Sequence, residues 1–279
     1  MRKKIKVMSV FGTRPEAIKM APLILELQKR PEIESLCCVT AQHREMLDSV
    51  MQTFGIKADY DLDIMVPGQT LSDITARALK GLENVFKATK PDIVLVHGDT
   101  STTFSAALAA FYAQIRVGHV EAGLRTYDKY FPFPEEINRK LVASIADLHF
   151  CPTAKNAENL QKEGITEGVF ITGNTVIDAM KYTVRKGNHF TDKRLEKLDF
   201  SSEKVILMTC HRRENYGMPM ENIFKAVSEI ARAFPDTKIV YPVHPSPVVR
   251  EAAYRLLGGA PQVLLTEPLD TVEMHTLMS

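Results

Sequence analysis

The sequence predicts an α/β protein of two Rossmann-like, doubly wound lobes, the second smaller and read as truncated. Two observations carry this. Short runs rich in Val, Ile and Leu alternate with helical stretches from end to end, the pattern of a parallel sheet with helices on both faces. A polar, Lys-rich stretch without strong periodicity, residues 186–204, interrupts the alternation once, after which it restarts.

In order, strands are predicted over 5–11, 35–40, 92–97, 116–121, 147–151 and 169–172, with helices over 17–30, 43–54, 71–89, 102–113, 135–146 and 154–163. After the interruption come a strand at 205–209, a helix at 220–234, a strand at 238–243, a helix at 246–257 and a strand at 262–266. The expected division is 1–172 as a first lobe carrying most candidate acids, 173–203 as a crossover helix and connection, and 204–279 as a partial second lobe. An open sheet of this type usually has about five or six strands. With three strands and a last residue just inside another helical pattern, the second lobe is read as abbreviated or the chain as incomplete.

The 279 residues are enough for a large buried core, and 45% hydrophobic with 25% charged residues excludes a disordered or fibrous chain. Lys and Arg total 35 against 34 acids, so no bulk field draws the protein to nucleic acid or a membrane surface. Cys37, Cys38, Cys151 and Cys210 lack CxxC spacing, and three lie in apolar runs, which reads as reduced core residues of a cytoplasmic protein. No apolar run reaches the roughly 18 residues of a membrane helix.

Five constellations could carry chemistry. FGTRPEAIKMAP (11–22) stands where the first strand turns into the first helix. Gly12 permits a tight turn, Pro15 suits the first helical position, and the helix N-terminus with Arg14 and Lys19 could hold phosphate. A capped helix with solvated charges explains it equally well. The glycine spacing is not GxGxxG, which disfavours a dinucleotide cofactor. VLVHGDTSTT and VGHVEAGLR end two strands with His-x-acid, His97 with Asp99 and His119 with Glu121, each pair expected on one strand face near the sheet's ligand-binding edge. These four could instead ligate a metal, the histidines could be neutral imidazoles bonded to backbone, and Asp99 could cap a helix.

In YFPFPEEINRKL (130–141), Glu135 and Arg139 are four apart and expected on one helix face, either as a modest surface pair or with Arg139 positioning Glu135 or holding an anion. MTCHRRENYG places His211, Arg212 and Arg213 past a strand end, where they suit a diphosphate in an interlobe cleft, although exposed charges flanking a turn are common without any role. PVHPSPVVRE puts His244 after the next strand.

Together, GTRPEAIKMAPL, TAQHREMLD, VHGDTSTT, HVEAGLRT, PFPEEINR, ITGNTVID, TCHRREN and PVHPSPVVRE resemble the bacterial UDP-N-acetylglucosamine 2-epimerases of the non-hydrolysing type, over nearly the whole chain. The resemblance implies a GT-B-like two-lobed fold and reversible interconversion of UDP-GlcNAc and UDP-ManNAc through loss and re-addition of UDP by way of a 2-acetamidoglucal. It implies no cofactor or metal, a homodimer, and ManNAc supply for surface polysaccharide, while the balanced charge and the lack of a long apolar run speak against a nucleic-acid or membrane partner. It carries over Asp99, Glu121 and Glu135 as carboxylates managing proton transfer and the cationic transition state, with His211 at the leaving phosphate. Arg14, Lys19, Arg139, Arg212 and His244 are implied as substrate-binding residues, and Gln42 and His43 as part of a regulatory UDP-GlcNAc site. Glu45 and Gly68 depart from the Gln and Arg of some regulated members, which argues against substrate activation, and Ser246 replaces a usual Asn. Members continue into a nucleotide-gripping loop and a final helix. If Ser279 is the true terminus, weak UDP binding and little turnover are expected. The rivals are a hydrolysing epimerase releasing ManNAc and UDP, a metal-dependent hydrolase, and a UDP-sugar-binding protein with little activity.

Overall fold

A computed structural model describes residues 3–41, 44–185, 187, 190–212 and 215–279. The chain divides into two compact units, Met1–Tyr182 and Thr183–Ser279. Both are parallel α/β, as the alternation predicts.

The first unit runs β1 (Ile5–Phe11), α1 (Arg14–Gln28), β2 (Ile33–Val39), α2 (Arg44–Phe54), β3 (Tyr60–Asp61), α3 (Leu71–Thr89), β4 (Ile93–His97), α4 (Ser101–Tyr112), β5 (Arg116–Val120), α5 (Glu135–Ile145), β6 (Leu148–Cys151), α6 (Ala154–Lys162), β7 (Val169–Ile171) and α7 (Thr175–Thr183), whose last residue opens the second unit. The sheet order is β3-β2-β1-β4-β5-β6-β7, with every pairing parallel. Strand order therefore reverses direction between β1 and β4, the switch point beside which open α/β sheets bind ligands at their carboxyl ends.

Why β1 reads as an unbroken apolar run is plain from its two faces. Val7 and Phe11 join Met20, Ile24 and Leu47 of α1 and α2 in one core layer. Met8 and Val10 join Leu82, Phe86 and Ala106 of α3 and α4 in the other. A strand covered on both sides needs apolar residues at odd and even positions alike.

The second unit runs α8 (Lys193–Glu196), β8 (Lys204–Leu207), α9 (Met218–Ala233), β9 (Thr237–Pro242), α10 (Pro247–Leu257), β10 (Val263–Thr266) and α11 (Thr271–Met278). Its three strands are parallel in the order β10-β9-β8. The stretch expected to be an aperiodic connection is anchored: Phe190, Leu195 and Leu198 are buried against Val240 and Leu277, and the single turn α8 is held by Asp192 capping Arg194 N–H and by Arg194 donating to Leu265 O. Three apolar residues at wide spacing among lysines leave no periodic trace. The two-residue β3, paired to Cys38 and Val39, is likewise too short to show a period.

All four cysteines are buried and unbonded, and burial pushes the Cys38 thiol up to about 12. Among the described residues no helix is long and apolar enough to cross a membrane.

Close approach, rather than turn geometry, requires Gly12. A Cβ there would lie 2.0 Å from Thr40 Oγ1 and 2.6 Å from Thr102 Oγ1, two hydroxyls that share a 2.8 Å hydrogen bond. Gly123, just past β5, combines a φ of +85° with backbone contact: its Cβ would meet Asn156 O at 2.2 Å. Gly123→Ala is expected to cost about 3 kcal/mol of unfolding free energy, since a left-handed alanine and an overlap with fixed backbone both oppose it. The shift in urea midpoint measures it.

Candidate active site

The carboxyl ends of β1, β4 and β5 and the first turn of α5 hold the first unit's candidate residues. Strand alternation stops at His97 and Val120, and the next residues turn sharply, Gly98 at φ +67° and Glu121 at φ +62°. The expectation that each His shares a strand face with its acid therefore gives way to a turn. A non-glycine residue in the left-handed region is uncommon and is held there by its surroundings. For Glu121 those surroundings are Lys19 of α1, whose Nζ donates to both carboxylate oxygens at 2.8 and 2.5 Å, and Asn174, whose Nδ2 donates to Oε2 at 2.9 Å.

Asp99 does not cap α4; Thr100 does, accepting from Thr103 N–H. Asp99 instead accepts from Arg139 Nη2 at 2.5 Å, while Asn138 of the same helix donates to its backbone carbonyl at 2.9 Å. Arg139 also lies 3.7 Å from the buried Glu136, so its ion-pair contacts are with Asp99 and Glu136, where the sequence suggests Glu135. Glu135 is half-buried at the head of α5. Burial pushes the Asp99 carboxyl above its ordinary range; Arg139 opposes this, and the charges of Glu135 and Glu121 reinforce it. Asp99, Glu121 and Glu135 thus interact, with Lys19 and Arg139 as counter-cations. Arg14, the first residue of α1, is half-buried.

The two strand histidines are interior groups. His119 Nε2 donates to Gly98 O at 2.7 Å, and His97 Nε2 lies 3.8 Å from Glu121 Oε2. Burial holds both near a pKa of about 3, with the Lys19 cation adding to the effect on His97, so both are neutral. Among the described residues no three His, Cys, Asp or Glu side chains are grouped to hold a metal ion.

Sequence reading passes over four residues here. Glu16 is buried and accepts from Gly12 N, Thr13 N, Thr100 Oγ1 and Thr103 Oγ1 at 2.8–3.1 Å. Glu136 accepts from Thr126 N and Tyr127 N, both at 3.0 Å. Asn138 and Asn174 are the others. A signal existed for two: Thr13-x-x-Glu16 is a capping-box spacing, and Asn174 precedes a helix as N-caps do.

In the second unit, His211 and Arg212 follow β8 and His244 follows β9, all exposed. The rings of His211 and His244 stack at 5.5 Å, inclined by 23°. His244 is oriented by Ser246 N–H donating to its Nδ1 at 3.1 Å, and Tyr241 steadies the strand end by donating to Cys210 O at 2.6 Å. His211 and Arg212 border a cavity of about 270 Å³ with Thr209, Asn215 and Ile223. Gln42, His43 and Arg213 lie outside the described residues. A roomier cavity of about 810 Å³ in the first unit, lined by Leu79, Phe86, Pro91, Ala109, Tyr112 and Ile115, lies at the opposite, amino-terminal end of β4 and β5 and includes no candidate site residue.

The family model described as UDP-N-acetylglucosamine 2-epimerase matches residues 25–279. The Bacillus subtilis UDP-N-acetylglucosamine 2-epimerase is 58% identical over 274 residues, 98% of this chain and 71% of that protein. The chain belongs to this family. Two solved structures extend the likeness. The S. aureus MnaA-UDP co-structure aligns with a TM-score of 0.85 at 54% identity, covering 98% of this chain and 72% of that one. The family member from Neisseria meningitidis, bound to UDP-GlcNAc, aligns with a TM-score of 0.86 at 50% identity, covering 98% and 75%.

Proposed function

We propose that this protein epimerises C2 of UDP-GlcNAc to give UDP-ManNAc, an activated sugar for surface polysaccharide synthesis. The observation that carries the reading is the grouping of Asp99, Glu121 and Glu135, close enough for two of the charges to act on the third, beside Lys19 and Arg139. Family membership and the relatives bound to UDP and UDP-GlcNAc support it.

The C2–H of an intact sugar is not acidic. The C1–O bond to the diphosphate therefore stretches first, and the positive charge developing at C1 is stabilised by nearby carboxylates. One carboxylate takes the C2 proton as UDP departs, leaving a 2-acetamidoglucal. UDP then re-adds at C1 while a second acid delivers a proton to the opposite face of C2. Substrate and product are isomers, so the balance needs no oxidant and consumes no water. In this reading Asp99 and Glu121 exchange the proton and Glu135 supports the cationic carbon. Arg14, Lys19 and Arg139 balance charge, and His211, Arg212 and His244 serve the diphosphate.

Proton NMR of UDP-GlcNAc with the purified protein tests this. UDP-ManNAc should grow to a plateau while UDP and free sugar do not accumulate. Stoichiometric release of UDP and free ManNAc would replace this reading with the hydrolysing one.

A further inference from the structure

We propose that Asn174 is a positioning residue for Glu121, a role that rests on the functional reading above. The side chain of Asn174 faces two ways. Its Oδ1 accepts from Val176 N–H at 3.0 Å at the start of α7, which identifies the opposite atom as the amide nitrogen, and that Nδ2 donates to Glu121 Oε2 at 2.9 Å. Gly173, at φ +80°, turns the chain from β7 into this cap.

Glu121 needs such a partner. It stands in the left-handed region beyond its strand, and Lys19, a single flexible ammonium, contacts both of its oxygens. A point charge attracts a carboxylate but sets its plane poorly. An amide donor clamped by its own cap bond supplies the missing direction. The neighbouring imidazole of His97, 3.8 Å from the same oxygen, is too far to do so.

A helix cap alone would explain an Asn here, and the two roles separate cleanly. Asp and Ser cap helices about as well as Asn. Ser cannot reach as an amide does, and Asp removes the donor and sets a second negative charge against Glu121. The expected result is a folded protein with a small loss of thermal stability for Asn174→Ser and Asn174→Asp, the cap being kept, and kcat lowered about 10- to 100-fold, because a hydrogen bond to a charged group is lost. KM should change little, so that the loss falls on kcat, and the Asp variant, which adds a charge of the same sign as Glu121, should lose at least as much rate as the Ser variant. Both variants matching wild-type kcat would overturn the proposal, leaving only the cap. Equal loss of stability and rate in both would also overturn it. A wild-type protein that does not epimerise UDP-GlcNAc would remove the functional reading itself, and this role with it, a pattern distinct from active variants beside an active wild type.

Discussion

Asp99→Asn is expected to lower epimerase kcat by about 10²–10⁴-fold, the usual contribution of a proton-transfer group, with KM and folding nearly unchanged. Asn keeps the carbonyl oxygen that Arg139 grips at Asp99 Oδ2, so the buried guanidinium is not abandoned, and the loop retains the Asn138 bond to the backbone carbonyl of residue 99. What the amide cannot do is carry a proton to or from carbon. The group is chosen because burial already biases it toward holding one, with Glu135 and Glu121 pushing the same way. A drop in kcat/KM matched by a similar drop in kcat marks loss of an interaction made only in the transition state. A rise in KM alone would recast Asp99 as a binding residue.

The largest stability effect is expected at Glu16. Glu16→Ala should cost about 3–5 kcal/mol, because Gly12 and Thr13 N–H lose their side-chain acceptor in a buried site at about 1–3 kcal/mol each and a void is added. Glu16→Gln should cost far less, and the reason lies in donor arithmetic. Thr100 Oγ1 and Thr103 Oγ1 both contact Glu16 Oε1, and Thr103 Oγ1 also donates to His97 O. With the Thr100–Thr103 hydroxyl contact these make four contacts for two hydroxyl hydrogens, so a side-chain donor at position 16 is accommodated, and the Gln amide supplies one.

Burial pushes the Glu16 carboxyl upward in pKa, against the hydrogen bonds it accepts. The folded chain then holds the carboxyl proton more tightly than the unfolded chain. The contribution is complete in acid, below the unfolded carboxylate value, and is lost as pH rises through the folded one. Gln at 16 has no such loss. Urea unfolding of wild type and Glu16→Gln across a pH series should therefore show the variant gaining on the wild type as pH increases. A constant difference would mean that the Glu16 carboxyl binds its proton no more tightly in the folded chain than in the unfolded one.

These two residues also show what a local pattern reveals and what it hides. The place of Asp99 was legible because it follows a doubly buried strand at the carboxyl end of a parallel sheet. The capping-box spacing of Glu16 was legible as well, but its burial was not. An acid in the first turn of a helix reads as a solvated charge favoured by the dipole, and its burial comes from threonines more than eighty positions away. The turn at Glu121 was hidden for a related reason: a period of two carried through His119 to Glu121 looks continuous until the left-handed backbone breaks it. Arg139 was expected to face Glu135 because helical spacing allows i,i+4 contact. The tertiary partner Asp99, brought in by the β4 to α4 turn, takes the guanidinium instead. In the second unit, the strands and helices that carry His211, Arg212 and His244 were legible from periodicity, whereas the stacking of the two histidines depends on adjacent strand ends that no local pattern reveals.

The most direct test of proton transfer at C2 is incubation of UDP-GlcNAc with the protein in D2O, followed by NMR at C2. Deuterium is expected at C2 of the ManNAc product and, as the reaction reverses, of the recovered GlcNAc, with the label strongly reduced in Asp99→Asn. Epimer that forms with its original C2 hydrogen intact would contradict it.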